Sequence, residues 1–127
     1  ELRDIAEIEV EILARQDSCD VKSEQWIAWA ERIRSDRWAD GIVLIHGTDT
    51  MPLTAECLRP ISGKTVVLTG AMSPARFRRS DATFNTAFAL GALQALPVGV
   101  YIAMNGRIFE AGKVRKNLEL GCFEAIA

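Results

Sequence analysis

The sequence predicts one α/β domain built around a mostly parallel sheet. Three short apolar runs, residues 41–45, 64–69 and 98–104, have the continuous apolar character of strands covered on both faces. Segments with helical periodicity separate these runs, which is the pattern of βαβ units with right-handed crossovers. The chain has 127 residues, about the usual size of one domain, so a second full domain is not expected.

The first third of the chain predicts a strand, a turn and a helix. Residues 8–12 alternate Ile, Glu, Val, Glu and Ile, the period-2 pattern of a strand with one buried face. Short polar side chains in residues 17–20 favour a turn. Ser23 can cap a helix over residues 24–34. Its apolar residues on one face are Trp26, Ile27, Ala30 and Ile33.

The middle of the chain predicts two βα units. Residues 41–45 read GIVLI, as expected for a central strand, and Pro52 can occupy the first turn of the helix that follows. Residues 64–69 repeat the buried-strand pattern and enter a loop. A further helix begins at Ser80 or Asp81.

The last strands form a hairpin in this interpretation. Residues 98–104 are a third apolar strand, and the Asn-Gly pair that follows is a strong turn sequence. Residues 107–110 can therefore pair back on that strand.

Composition excludes several classes of function. The chain is 49% hydrophobic and 25% charged with a net charge of −2, so it is neither disordered nor suited to bind nucleic acid or anionic lipid. No apolar run is long enough for a membrane span. Three cysteines and one histidine without ligand spacing argue against a metal site and favour a reducing, cytoplasmic compartment.

Three polar loops follow strands or precede helices, where parallel sheets bind ligands: residues 17–20, 46–50 and 70–74. In the middle loop, Gly47 allows close approach of the backbone, and two threonines and an aspartate follow it. Peptide N–H groups and Asp49 there can hold the carboxylate and the ammonium of a zwitterion. The alternative is that these residues only cap the next helix.

Lys116 is the second candidate, because a lysine partly buried beside a hydroxyl can act as a base. The alternative is a solvated basic turn, since Lys113 and Arg115 are its neighbours. Nothing in the sequence gives His46 an orienting partner, so a structural role is predicted for it.

These motifs together carry a family resemblance. Residues 41–51, GIVLIHGTDTM, resemble the second signature of the bacterial-type L-asparaginases. Other segments are similar to that family in the same order, and the resemblance covers roughly residues 8–116. These segments are DSCD at 17–20, VVLTGAM at 66–72 with Pro74, Ser80-Asp81-Ala82 with Asn85, Met104-Asn105-Gly106 and Val114-Arg115-Lys116.

The resemblance implies a three-layer, flavodoxin-like sandwich and the hydrolysis of L-asparagine to L-aspartate and ammonia. It makes Thr48 the hydroxyl of a Thr-Lys-Asp group in which Lys116 is the base, and it gives Asp49 the substrate α-ammonium. Ser18, with backbone near Gly47 and Thr48, would contact the α-carboxylate.

The same resemblance implies that the main chain at Ala71 helps to position the substrate's side-chain amide. No cofactor or metal is expected, because backbone donors can stabilise a tetrahedral oxyanion.

Two features of the family are absent from the sequence. Its first signature, a TGGTI-like segment that supplies the threonine commonly assigned as nucleophile, has no counterpart here, and we expect that segment and a first strand upstream of Glu1. The sequence also ends at Ala127, where typical members of the family continue into a smaller C-terminal domain. Residues 1–127 are therefore expected to be the N-terminal-type domain of a short-chain member.

Alternative functions stay open at this point. A glutaminase-asparaginase would differ by room for one methylene. An asparaginase-like subunit of a transfer-RNA-dependent amidotransferase would need an RNA-facing region, against which the balanced charge argues. A non-catalytic domain that binds asparagine or aspartate is the third alternative.

Association of identical subunits is also predicted. Trp38, Phe109 and Phe123 are candidates for exposed apolar surface in so small a domain, which favours a homodimer or a higher homo-oligomer.

Overall fold

The computed structural model describes residues 2–126 and contains a main sheet of four strands in the order β1-β2-β3-β4. A separate two-stranded sheet, β5-β6, follows it. The helices are α1 (Ser23–Ser35), α2 (Met51–Leu58) and α3 (Ala82–Ala95), and the strands are β1 (Gly41–Ile45), β2 (Thr65–Thr69), β3 (Gly99–Met104), β4 (Arg107–Glu110), β5 (Val114–Asn117) and β6 (Cys122–Ala125).

Strands β1, β2 and β3 are parallel, and β4 pairs with β3 in the antiparallel direction. Ile45 lies beside Thr69, so the loops that leave β1 and β2 emerge next to each other. Asn105 and Gly106 have φ values of 50° and 80°, as the tight turn between β3 and β4 requires. The predicted parallel sheet and terminal hairpin are confirmed.

Helices cover both faces of this sheet. One core cluster joins α1 and α2 to side chains such as Val66 and Ile102, and the other joins α3 to side chains such as Val67 and Tyr101. Neighbouring residues of β2 thus point to opposite cores, as the alternation along a strand dictates. The result is the predicted three-layer α/β sandwich.

The predicted strand at residues 8–12 is wrong. This segment has no regular secondary structure and within residues 2–126 it pairs with no strand, and Val10 and Ile12 are 82% and 61% exposed. Residues 6–14 and β1 face each other across a cleft of about 1350 Å³ instead of forming hydrogen bonds. Alternation encodes an extended backbone with two different faces, but a strand also needs a partner within hydrogen-bonding distance.

The position predicted for residues 41–45 also needs correction. They form β1 as expected, but β1 lies at the edge of the sheet, and Ile42, Val43 and Leu44 are only half-buried. One flank of β1 faces the cleft instead of another strand. An all-apolar run therefore indicates apolar surroundings above and below a strand, and it does not indicate a paired strand on each side.

Helix α1 begins one residue earlier than predicted. Lys22 occupies the N-cap position, and its backbone N–H donates to the Gln25 side chain at 3.0 Å, so Ser23 lies inside the helix. Ile27, predicted to be on the buried face, is exposed, and Trp29 is buried in its place.

Two of the three residues predicted to form an exposed apolar surface are buried. Phe109 is 5% and Phe123 3% exposed, because β4 and the β5-β6 hairpin turn these rings into the core under α2. Trp38 alone of the three is exposed. Among the described residues, no helix has the length and apolar character to span a membrane.

Candidate active site

Two loops meet at the end of β1. Residues Ser18–Asp20 form a single 3-10 turn, and the Thr50 hydroxyl donates a hydrogen bond to the Ser18 carbonyl at 2.8 Å. A Cβ atom on Gly47 would lie 2.7 Å from both Cβ and Oγ of Ser18, so only glycine allows the loops this close. Ser18 itself is buried at this contact.

Lys116 reaches this junction from β5, 68 residues further along the chain than Thr48. Its Nζ atom donates to Thr48 Oγ1 at 2.9 Å and to Asp49 Oδ1 at 2.5 Å. The Lys116 side chain is 15% exposed and that of Asp49 is 53% exposed, so the lysine forms the inner wall and the carboxylate the mouth of the site. The hydrogen bond from Lys116 lowers the pKa of Asp49.

The outer side of Asp49 faces the 3-10 turn. Cys19 Sγ donates to Asp49 Oδ2 at 3.7 Å, while the Cys19 backbone N–H donates to Asp17 Oδ1 at 2.9 Å. Asp17, Cys19 and Asp49 present ligand atoms within 4.8 Å of one another, but all three are exposed and Asp49 is already paired with Lys116. We therefore describe this cluster as the polar rim of the site.

A second network fixes the loop after β2. Asp81, at the N-cap position of α3, accepts hydrogen bonds from the backbone N–H groups of Met72 at 3.1 Å and Ser73 at 3.0 Å. The Ser80 hydroxyl donates to the Ser73 carbonyl at 2.5 Å. The start of α3 thus holds this loop through a charged acceptor, Asp81, and a hydroxyl donor, Ser80.

Asn85 continues that network inside the core. Its fully buried side chain donates to the Gly70 carbonyl at 2.8 Å and accepts from the Asn105 backbone N–H at 2.9 Å. The main chain at Ala71 is therefore held on both sides, by Asn85 at Gly70 and by Asp81 at Met72.

The Asp81 carboxylate is unusually acidic. Burial alone raises its pKa, but hydrogen bonds from the Ser73 N–H, the Asn105 amide, the Met72 N–H and the Asn85 amide lower the pKa to about 2, from an ordinary value of 3.8. A carboxylate with a depressed folded-state pKa stabilises the fold above its unfolded-state pKa.

We expect Asp81→Asn to lower the free energy of unfolding at neutral pH by roughly 1–2 kcal/mol, which corresponds to the pKa shift with an allowance for partial solvent access. This difference from the wild type should shrink as the pH falls from about 4 toward 2, because the wild-type carboxyl then takes up a proton. Urea unfolding at a series of pH values measures it. The exposed Asp40→Asn is the control, and an equal effect of both variants would contradict the prediction.

His46 lies directly behind the Gly47-Thr48 peptide. Its Nδ1 atom is 2.6 Å from the Gly47 carbonyl oxygen, and its Nε2 atom is 2.8 Å from Thr54 Oγ1. The Trp26 indole N–H donates to the same Thr54 hydroxyl at 2.7 Å. Burial lowers the pKa of His46.

The structure brings together five of the six residues predicted for the site. Ser18, Gly47, Thr48, Asp49 and Lys116 lie in one continuous group of contacts. Ala71 lies in the loop two residues beyond the end of β2, and the pairing of Ile45 with Thr69 places that strand end beside the group.

Sequence reasoning missed the partners of His46 and the role of Asn85. The Ser80-Asp81-Ala82 motif with Asn85 pointed only to a helix start, although a polar residue on the buried face of α3 was a usable sign of a hydrogen-bond network.

The fold and the site define an α/β protein of three layers with a ligand site at the carboxyl ends of its parallel strands, where such folds bind ligands. In this protein the site contains a hydroxyl, an amine and a carboxylate. Residues 1–126 match the family model described as asparaginase, N-terminal, and the chain belongs to this family.

Relatives with two kinds of name are similar to the chain. A probable periplasmic L-asparaginase of Haemophilus influenzae is 33% identical over 91% of this chain and 35% of its own length. A subunit of the glutamyl-tRNA(Gln) amidotransferase of Methanococcus maripaludis is 35% identical over 91% of this chain and 30% of its own length.

Among solved structures, a probable cytoplasmic L-asparaginase from Campylobacter jejuni superimposes with a TM-score of 0.89 at 35% identity, covering 98% of this chain and 41% of that one. The chain thus spans about a third of the length of the curated relatives it matches.

Proposed function

We propose that this chain carries the Thr-Lys-Asp part of an L-asparaginase-type amidohydrolase, which converts L-asparagine and water to L-aspartate and ammonia. The observation that supports it most directly is the contact of Lys116 Nζ with both Thr48 Oγ1 and Asp49 Oδ1. A site that only bound an amino acid would have no need of an amine buried against a hydroxyl.

In this proposal Asp49 binds the substrate α-ammonium. One of its oxygens holds Lys116 and the other faces Cys19, so the incoming ammonium competes with Lys116 for the carboxylate. Released from Asp49, Lys116 in its neutral amine form accepts the proton of the Thr48 hydroxyl.

The Thr48-Lys116 pair then serves the acyl-transfer step. Attack of the threonine nucleophile on the side-chain amide carbon forms a tetrahedral intermediate, the C–N bond breaks as Lys116 returns the proton to the departing ammonia, and water hydrolyses the acyl group. Backbone N–H donors stabilise the oxyanion, and the main chain at Ala71 helps to position the side-chain amide. Ser18 and the backbone at Gly47 and Thr48 hold the α-carboxylate.

A second candidate function is supported by the relatives. Amidotransferase subunits are as similar to this chain as the asparaginases are, so the same group could release ammonia for a partner protein. Free L-asparagine hydrolysis by the isolated protein distinguishes the first proposal from this one. A preference for glutamine would identify the glutaminase-asparaginase alternative.

The test is ammonia release from L-asparagine by the natural polypeptide that carries this chain, measured beside the 127-residue chain itself. We expect Thr48→Ala to abolish release, because it removes the hydroxyl that Lys116 contacts. Ser62→Ala, which removes an exposed hydroxyl before β2, at the opposite end of the strands, is the matched control. No release from the natural polypeptide, with asparagine still binding by calorimetry, would overturn the enzyme proposal in favour of a binding domain.

Cytoplasmic location and self-association remain predictions. The exposed Trp38 and the outer edge of β1, which pairs with no strand within residues 2–126, favour a homodimer or a higher homo-oligomer. Light scattering that finds only the monomer mass would reject this prediction.

A further inference from the structure

We propose that His46, held by Thr54 and Trp26, is a positioning residue that aims the Thr48 backbone N–H at the ligand. This inference deepens the proposed function, since it rests on the α-carboxylate being bound at the Gly47-Thr48 backbone. It assigns a role to three side chains that contact neither Lys116 nor Asp49 directly.

The hydrogen-bond chemistry fixes the tautomer of His46. The Gly47 carbonyl oxygen can only accept, so Nδ1 at 2.6 Å must carry the proton and donate to it. In the neutral ring Nε2 is then an acceptor, and the Thr54 hydroxyl donates to it at 2.8 Å. The Thr54 oxygen in turn accepts from Trp26 at 2.7 Å.

The donors therefore run in one direction, from the indole of α1 through the hydroxyl of α2 to the loop after β1. Thr54 is fully buried, so removal of its hydroxyl would leave the Trp26 indole N–H and His46 Nε2 without a hydrogen-bond partner. Trp29 packs edge-on against the imidazole, with ring centroids 6.2 Å apart, and limits its rotation.

The consequence for the site follows from peptide geometry. In a planar trans peptide the C=O and the next N–H point in opposite directions. Fixing the Gly47 carbonyl on His46 therefore fixes the Thr48 N–H on the other side of the peptide. This explains why a partly buried histidine lies behind the site without touching Thr48 Oγ1, Asp49 or Lys116.

Two substitutions at His46 separate its two hydrogen bonds. An asparagine side chain places an N–H near the position of Nδ1, whereas a glutamine places one near Nε2. We expect His46→Asn to keep asparagine affinity within about threefold of the wild type, and His46→Gln to weaken it by about tenfold, the loss expected for one aligned hydrogen bond. Equal weakening by both variants would overturn the proposal.

Thr54 supplies a second, independent pair. Thr54→Ser retains the hydroxyl and should behave as the wild type. Thr54→Val keeps the volume but removes the donor to Nε2 and leaves the Nδ1 hydrogen bond intact, so it should raise KM by no more than about threefold, as His46→Asn does, and should raise KM more than it lowers kcat. Loss of kcat alone in Thr54→Val would contradict a positioning role through the substrate carboxylate.

A spectroscopic measurement tests the hydrogen bonding without substrate. The sequence contains one histidine, so the imidazole nitrogen-15 spectrum reports His46 alone. We expect a protonated Nδ1 and an unprotonated, hydrogen-bonded Nε2, with the Nε2 resonance moving toward that of a free ring nitrogen in Thr54→Val. A protonated Nε2 in the neutral wild type would overturn the proposal. If asparagine does not bind the wild type, the proposed function fails, while this spectrum still decides the tautomer.

Discussion

Replacement of Lys116 by methionine is expected to lower kcat for asparagine hydrolysis by about 10²–10⁴-fold, the range of a lost general base. Methionine retains much of the aliphatic length of lysine, so the packing of β5 against the core should survive. What it removes is the amine that lies 2.9 Å from Thr48 Oγ1.

The effect of Lys116→Met on KM should be small, and KM can fall instead of rising. Lys116 occupies Asp49 Oδ1 in the structure, so its removal leaves that carboxylate open to the substrate ammonium. Because Asp49 is half-exposed, water also solvates it and the fold loses little stability with the pair. Lys116→Met should therefore separate kcat from KM, which uniform loss of binding would not do.

Lys113→Met is the matched control. Lys113 precedes β5 in the same hairpin and pairs with Glu110 at 2.6 Å, but its side chain is exposed and contacts solvent. Steady-state kinetics on the natural polypeptide should give this control wild-type values. A Lys116→Met variant with wild-type kcat would remove the base from the proposed mechanism.

The group formed by Thr48, Asp49 and Lys116 could be predicted from neighbouring residues only in part. The loop after β1 could be predicted from residues that are adjacent in the sequence: an apolar strand, a glycine and a helix with Pro52 in its first turn. The structure confirms the strand and the helix. Lys116 was different, because 68 residues separate it from Thr48, and its own neighbourhood favoured a solvated turn. Only the order of motifs in the family resemblance placed it at the site.

The hydrogen bonds of Trp26, Thr54 and His46 behind the site could not be predicted for a related reason. Trp26 and Thr54 are 28 residues apart and meet because α1 and α2 pack on the same face of the sheet. No periodicity encodes which polar side chains become partners when two helices dock. The strand predicted at residues 8–12 failed likewise, since alternation specifies a conformation and leaves pairing to the rest of the fold.

Gly70→Ala is expected to destabilise the protein by about 3 kcal/mol, an overpacking effect at the upper end of the usual range. Gly70 is buried at the end of β2, where a Cβ atom would overlap the carbonyl oxygen of His46 and lie 3.1 Å from Met51 Cε. Met51 can adjust its flexible side chain, but the His46 carbonyl belongs to the backbone, so the two loops themselves must separate.

Separation of the two loops in Gly70→Ala should weaken ligand binding as well as lower stability. The His46 N–H donates to the Thr69 carbonyl at 2.8 Å directly beside the contact, so moving Gly70 away loosens the junction that sets the direction of Gly47 and Thr48. We therefore expect weaker asparagine binding together with the lower unfolding free energy, both measured on the natural polypeptide by calorimetry and urea unfolding.

Gly91→Ala provides the comparison that isolates the steric cause. Gly91 lies in α3 with nothing within 4 Å of an added Cβ, so alanine there should stabilise the protein by about 0.5–1 kcal/mol through helix propensity. The same chemical change thus has opposite signs at two positions of one chain. Gly70 does not have a positive φ, so alanine causes no backbone strain there and any loss of stability has a steric cause. If Gly70→Ala left the free energy of unfolding unchanged, the loop at His46 would move away without cost. The close approach of the two strand ends would then not be what holds Thr48 in place.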